Sequence, residues 1–299
     1  MTENNKVQRW ADPAMFAAET LGAEGVELKP TVTVTSMTAN PLRVIGAVAR
    51  TYQGRMCSDP SEITRAEATR YLVDIRRGKL KAPLEWVQVA LMFHGVSRDF
   101  THQLVRQRTA TYAQESMRFA VKEDAAYAVP TPPSILLMDE DDPFRVAWRE
   151  HVKRTADLYL MFVNSGRVPA EDARKALLIG TGTSVQYRTN LRDLMEHAGM
   201  RLCSQAQYEW KVVWEQIVKA LLAYGPHEER WQQRAIVSLF APICYQTGKC
   251  EFMASTDRWC VIRDRVEAHH VKGEAPSQWH DIDPYEPLAR LAATDLRRK

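Results

Sequence analysis

Three arginines, Arg106, Arg108 and Arg118, stand within one stretch, THQLVRQRTATYAQESMRF, running from Thr101 to Phe119. Amide and hydroxyl side chains are interleaved with them at Gln103, Gln107, Gln114 and Ser116. A guanidinium offers a planar fork of donors that matches a phosphate bidentately, and a flat face that stacks on a heterocycle. Arginines at this density, mixed with amides and a hydroxyl, suit recognition of a nucleotide. A solvated basic surface is the plainer reading of such a run. Here apolar neighbours argue for partial burial, and a buried arginine calls for an anionic partner.

A second constellation lies in NLRDLMEHAGMRLCSQAQYEW, residues 190–210. Thr189 or Asn190 can cap a helix whose first turn holds Asp193. Asn190 and Arg201 are 11 residues apart, which at about 100° per residue places them on one face. The apolar stripe Leu202, Ala206, Trp210, Val213, Ile217 and Leu221 follows, so Arg201 falls at a core boundary. Arg174, in EDARKALL, can join it; the alternative for each single arginine is a surface ion pair. Ser116 has no visible base beside it to make it a nucleophile, and no cysteine sits in a nucleophile motif.

Cys244, Cys250 and Cys260 cluster in CYQTGKCEFMASTDRWC, with His269 and His270 beyond. Their spacings are wider than the C-x₂₋₄-C pairs of zinc sites. Reduced, mostly buried thiols are the favoured reading, and no metal is assigned.

These residues need a frame. Thr31 to Thr38 alternates β-branched residues and predicts a strand. Pro41 to Tyr52 predicts a short helix, and Asp59-Pro60-Ser61 opens another from Glu62 to Lys79. Glu85 to Phe93 predicts a buried strand, although its length leaves a helix open. Ser97 to Arg108 predicts a helix. Tyr112 to Phe119 reads as extended, with Gln114, Ser116 and Arg118 on one face and Glu115, Met117 and Phe119 on the other. Residues 120–143, with Pro130, Pro132 and Pro133, read as a loop or insertion. Three long helical stretches follow: Phe144 to Val163, a second starting at Pro169, and Leu191 to Tyr224, broken once. Gly225-Pro226 stops the third, and a further helix spans about Glu228 to Phe240. Residues 1–30 read as a loosely ordered start, and 250–299 as a peripheral extension. The whole is one α+β domain with its core at about 31–240 and a helix-rich second half.

Composition sets the outer bounds. The chain has 299 residues, 45% hydrophobic and 26% charged, which are ordinary globular values. Forty Lys+Arg against 37 Asp+Glu give a net charge of +3, too near neutral for bulk binding of nucleic acid. Five scattered cysteines do not form a secreted disulfide framework. The polar N-terminus carries no secretory signal, and no apolar run reaches the roughly 18–20 residues of a membrane span. A cytoplasmic protein is expected.

Together the motifs resemble the flavin-dependent thymidylate synthase family. Its signature, Arg-His-Arg, seven residues, then Ser, reads here Arg106-Gln107-Arg108, seven residues, Ser116, followed by Met117-Arg118-Phe119. The upstream context SRDFTHQLVR also matches. A second signature, Asn-x-Arg…Arg…Ala-Gln-x-Glu, matches Asn190, Arg192, Arg201, Ala206, Gln207 and Glu209, with Arg174 sixteen residues before Asn190. The resemblance covers about residues 31–240. It implies helices packed on a small, mostly antiparallel central sheet, and a homotetramer with active sites between subunits. It also implies FAD, NADPH as reductant, methylenetetrahydrofolate as carbon donor and dUMP as acceptor.

On this resemblance Gln103, Arg106, Gln114, Ser116, Arg118, Arg174 and Arg201 fall at nucleotide-contacting positions. Arg106, Gln107, Arg108, Gln114, Asn190, Arg192 and Glu196 fall at flavin-contacting positions, with Glu85 nearby. Arg201 takes the catalytic role, facing the pyrimidine and favouring its N3-deprotonated form. Gln107 stands where the signature has His, and Glu196 where relatives carry His or Asn. These departures leave room for a relative making a 5-hydroxymethyl product or acting on dCMP. Readings of a different class are a nucleic-acid-binding protein that uses the 98–118 arginines and a silent nucleotide-binding relative.

Overall fold

The computed structural model describes residues 30–122, 128–136, 138–203, 206–247, 268 and 271–272. At its centre is a four-stranded antiparallel sheet made of β1 (Thr31–Met37), β2 (Gln88–Ser97), β3 (Thr111–Gln114) and β4 (Gly182–Asn190), in the order β1-β2-β4-β3. The two inner strands alternate cleanly. Val89, Leu91 and Phe93 of β2 and Val185, Tyr187 and Thr189 of β4 point into the core. Gln186 and Arg188 face outward. That period of two lets one face of a half-covered sheet be apolar and the other polar.

Helices cover the inner face. After β1 come α1 (Pro41–Tyr52) and α2 (Arg65–Arg77), then a 3₁₀ turn (Ala82–Trp86) leading into β2. α3 (Arg98–Leu104) follows β2 directly and precedes β3. Beyond β3 lie the one-turn α4 (Pro133–Leu136), the long α5 (Pro143–Asn164) and the one-turn α6 (Ala170–Ala173). β4 then feeds α7 (Leu191–Arg201), and α8 (Tyr208–Ala223), α9 (Arg230–Val237) and α10 (Ile243–Thr247) close the described chain. Trp210, Val213, Trp214, Ile217 and Leu221 of α8 form one buried stripe in the main core, together with Leu42, Ile45, Phe93, Phe100 and Tyr187. No described helix is long and apolar enough to cross a membrane.

The predicted first strand and first helix agree with β1 and α1, and the expected break after Leu191 falls between α7 and α8. Several expectations need correction. The helix read from Glu62 begins at Arg65, because Thr64 caps it through a capping box with Glu67; Pro60–Glu62 is a separate 3₁₀ turn. The strand read from Glu85 begins at Gln88 and runs on to Ser97, past a bulge at Gly95, whose φ is 69°. The helix read from Ser97 to Arg108 stops at Leu104, where the Tyr112 hydroxyl lies 2.9 Å from the Leu104 carbonyl oxygen and 2.7 Å from that of Gln107.

The long helix expected from Pro169 is α6 plus one 3₁₀ turn, and β4 was missed altogether. The alternating Thr183, Val185, Tyr187 and Thr189 carried its signal, masked by the acidic helix start just upstream. The final helix is shorter than read, Arg230–Val237 after a 3₁₀ turn. Within 120–143, Lys122, Ala128, Val129 and Thr131 are buried, and Val129 packs with Val152, Trp148 and Leu178. Residues 1–29 and nearly all of 250–299, including Cys250, Cys260, His269 and His270, lie outside the described residues.

Candidate active site

Ser97 joins strand, helix and site. It ends β2, and its Oγ caps α3 by accepting from the Phe100 N–H at 2.9 Å. The Ser97 N–H and Oγ in turn donate to the two carboxylate oxygens of Glu209, at 2.7 and 2.5 Å. Burial pushes the Glu209 carboxyl up to about 7; the Ser97 hydrogen bonds pull it down, and the nearby charge of Asp99 adds to the rise. The first turn of α8 is thereby tied to the start of α3.

One turn further along α3, Gln103 is held in a directional chain. Its Nε2 donates to Gln207 Oε1 at 2.6 Å, and Gln207 Nε2 donates to Asp99 Oδ2 at 2.7 Å. Its Oε1 accepts from Arg201 Nη1 and from Trp210 Nε1, both at 3.0 Å. The Arg201 guanidinium also lies 4.9 Å from the centre of the Trp210 ring and donates to His197 Nε2 at 3.4 Å. Burial, and secondly the charge of Arg201, push His197 down to about 3, so its ring is neutral near pH 7. Every partner of Arg201 is therefore uncharged, and among the described residues no carboxylate pairs with it. Burial lowers the Arg201 pKa from its ordinary value. A half-buried cation braced by neutral groups is poised for an anion.

The loop between α3 and β3 carries Arg106, Gln107 and Arg108. Both arginines are exposed, and among the described residues no hydrogen bond or ion pair engages either guanidinium. Gln107 differs: its Oε1 accepts from the Tyr187 hydroxyl at 2.7 Å and its Nε2 donates to the Asp193 carbonyl at 3.3 Å. Asn190 caps α7, accepting from the Asp193 N–H at 2.9 Å and donating to Asp193 Oδ2 at 2.8 Å. Beside it Arg192 bridges two acids, reaching Glu85 Oε1 at 2.6 Å and Glu196 Oε1 at 3.0 Å. The negative charge of Glu196 is thus spent on Arg192.

A third group gathers where β3 ends. The expected extended run to Phe119 stops at Gln114, because Ser116 Oγ accepts from the Arg118 N–H and a turn closes. The shared face of Gln114, Ser116 and Arg118 therefore does not form. Of the expected apolar wall, Met117 is buried while Phe119 is 82% exposed. Gln114 Nε2 donates to Thr101 Oγ1 at 2.7 Å. Arg118 pairs with Glu171 Oε2 at 2.9 Å, and Arg174 donates to the Glu171 carbonyl at 3.1 Å. Arg98, counted in the sequence only among the 98–118 arginines and not among the nucleotide contacts, donates to Met117 Sδ at 2.9 Å; burial lowers its pKa and the charge of Arg174 lowers it further. Arg98, Thr101, His102, Val105, Gln114 and Ile179 line a cleft of about 300 Å³.

The structure thus links Gln103 to Arg201, Arg118 and Arg174 to a common glutamate, and Gln107 to the α7 cap. Sequence reasoning missed His197, Asp99, Ser97, Tyr112 and Tyr187 as parts of the site. Ser97, Asp99, Tyr112 and His197 stand inside the quoted stretches but held no role there, and each of the five acts as a partner of a residue that did. Among the described residues no His, Cys, Asp and Glu group could hold a metal ion.

The class that this sheet, these arginines and this glutamine chain define is matched by comparison with known proteins. The family described as thymidylate synthase complementing protein matches residues 33–227. A flavin-dependent thymidylate synthase of Pyrococcus furiosus is 31% identical over 226 residues, covering 73% of this chain and 88% of its own. One from Saccharolobus solfataricus is 30% identical over 250 residues, covering 79% and 94%. The fold resembles the UMP/dUMP methylase PolB of Streptomyces cacaoi, crystallised with 5-Br dUMP, with a TM-score of 0.55 at 21% identity, covering 71% of this chain and 94% of that one. It also resembles thymidylate synthase X of Helicobacter pylori, crystallised with FAD and dUMP, with a TM-score of 0.50 at 19% identity, covering 70% and 99%. This chain belongs to the flavin-dependent thymidylate synthase family and is an enzyme.

Proposed function

We propose that the enzyme converts dUMP to dTMP, with FAD as its bound cofactor, methylenetetrahydrofolate as carbon donor and NADPH as reductant. The observation that carries this reading is the state of Arg201, a partly buried cation held by Gln103, His197 and Trp210, with no carboxylate among the described residues paired to it. Set against a uracil ring, such a cation favours the form deprotonated at N3, because an adjacent opposite charge stabilises the anion. The resulting electron density reaches C5, where the carbon is added. The neutral His197 leaves the whole charge of Arg201 available for that task.

Arg118, Arg174 and Arg98 with Ser116 hold the nucleotide phosphate, Arg118 exchanging Glu171 for it. Gln103 and Gln114 meet the nucleoside. Arg106 and Arg108 fit a group rich in phosphate, since both side chains are exposed and neither guanidinium is engaged by the described residues. FAD is such a group, and when bound and reduced it supplies the hydride that completes the methyl. The active enzyme is a homotetramer whose subunits complete one another's sites.

The test is the mass of the nucleotide formed from dUMP with FAD, NADPH and methylenetetrahydrofolate supplied together. A methyl in place of one hydrogen is expected. A hydroxymethyl product, or turnover of dCMP instead, would replace this reading with the corresponding relative. Unchanged nucleotide would sink it.

A further inference from the structure

We infer that Gln107 is a positioning residue, whose side-chain amide locks the arginine loop to β4 and α7 and so holds Arg106 and Arg108 at a fixed separation. The inference rests on the proposed flavin site, but its geometry stands apart from it. One residue of this loop makes four hydrogen bonds. Its Oε1 accepts from Tyr187 and its Nε2 donates to the Asp193 carbonyl. Its own carbonyl accepts from Tyr112 at 2.7 Å, and its N–H donates to the Leu104 carbonyl at 3.2 Å. The guanidiniums of the residues on either side make none to the described residues. The chain thus fixes the middle of the motif and leaves both flanking cations free.

The anchors are themselves rigid. Tyr187 is 2% exposed, and its ring lies 5.6 Å from that of Tyr112. Asp193 is clamped by the Asn190 cap. With both ends of the amide engaged inside the protein, Gln107 acts on a bound flavin through its neighbours rather than by touching it. Preorganised arginines bind phosphate more tightly because less freedom is lost on binding.

The test uses the full chain as wild type, Tyr187→Phe, Gln107→Ala and the double variant. Tyr187→Phe leaves Gln107 in place and removes one of its anchors. Amide hydrogen exchange over residues 105–109 is read in flavin-free protein, and FAD and riboflavin are titrated by fluorescence. The expected result is faster exchange in all variants and FAD affinity lower by about tenfold, the loss of about one net hydrogen bond. Riboflavin, which lacks phosphate, is expected to bind unchanged, and the double variant to match Gln107→Ala. Gln107→Met, similar in size, replaces Gln107→Ala if that protein fails to fold.

Wild-type FAD affinity in Tyr187→Phe, with both FAD and riboflavin weakened in Gln107→Ala, would overturn the inference and make Gln107 a direct flavin contact. A wild-type protein that binds no flavin would remove the proposed cofactor instead. Exchange then decides alone, with faster exchange supporting the lock and unchanged exchange refuting it.

Discussion

His197 and Arg201 sit one turn apart on α7, and the guanidinium donates to the imidazole Nε2 at 3.4 Å. A histidine that accepts from an arginine must be neutral, and its ring is buried against Trp210 at a centroid distance of 4.8 Å. The folded protein therefore resists protonating it until about pH 3, against an ordinary value of 6.5. In that window the unfolded chain binds a proton that the folded one refuses, so stability falls as pH falls. The slope expected from this residue is about 1.4 kcal/mol per pH unit. Denaturant unfolding of wild type and His197→Gln across pH 4 to 6 checks it, and equal slopes would refute it.

Glu209 works in the opposite direction. Its carboxyl is raised from 4.5 to about 7 in the folded protein. Between those values the folded state keeps a proton that the unfolded chain has released, so stability falls as pH rises through the window. Glu209→Gln carries no such term. Its stability relative to wild type should increase between about pH 5 and about pH 8, as read by thermal unfolding. A difference independent of pH would mean that Glu209 titrates normally.

Replacing Arg201 separates function from folding. Among the described residues no carboxylate pairs with it, so its loss leaves no buried anion behind there, and Arg201→Ala should remain folded. Turnover of dUMP should drop by at least about a hundredfold, the scale of losing one preorganised charge at the reacting group. Unchanged turnover would end the role assigned to it. Arg201→Lys should fare little better, since an ammonium cannot both rest on Trp210 and reach Gln103 with a planar fork.

Both ends of the Gln207 amide are engaged, with Gln103 and with Asp99, and it holds the amide of Gln103 in one orientation. Gln207→Leu removes the partner of Gln103 Nε2 and of Asp99 Oδ2, so the Gln103 amide, still reached by Arg201 and Trp210 at its carbonyl, is free to turn. Nucleotide affinity should fall by about tenfold, the scale of one net hydrogen bond. Calorimetric titration with dUMP checks this.

The Arg118–Glu171 pair is exposed on both sides, at 53% and 50%. Such pairs contribute little, so Glu171→Gln should change stability by less than about 1 kcal/mol. Nucleotide affinity should rise, because Arg118 no longer has to leave a carboxylate. An affinity unchanged at low salt would show that the pair does not compete with phosphate.

The two arginine motifs were legible in the sequence because their chemistry is carried by residue type and spacing alone. The frame was legible where one physical signal dominated: Thr31 to Thr38 alternates, and the stripe keeps helical spacing from Trp210 to Leu221, while Leu202 and Ala206 fall in the break before α8. β4 was lost because Pro169-Ala-Glu-Asp-Ala is a true helix start whose helix then fails to continue. Nothing local announces that a single turn suffices. The extension past Gln114 failed because a Ser116 side chain can close a turn as readily as it can line a strand. The roles of Tyr187 and Asp99 come from contacts across 80 to 108 positions, Tyr187 with Gln107 and Asp99 with Gln207, and no window on the sequence spans that distance.

The Ser97–Glu209 clasp joins residues 112 positions apart. Closing so long a loop is slow relative to forming a helix turn, so contacts of this kind come late in folding. The arginine loop follows Ser97 within ten residues, yet its scaffold is finished only when α8 docks. A nascent chain that has emerged as far as Phe119, just past β3, already carries the first motif in full and has nothing to set it against. Competence for the nucleotide is thus acquired only after α8 has been made, when the segment that carries Glu209 arrives.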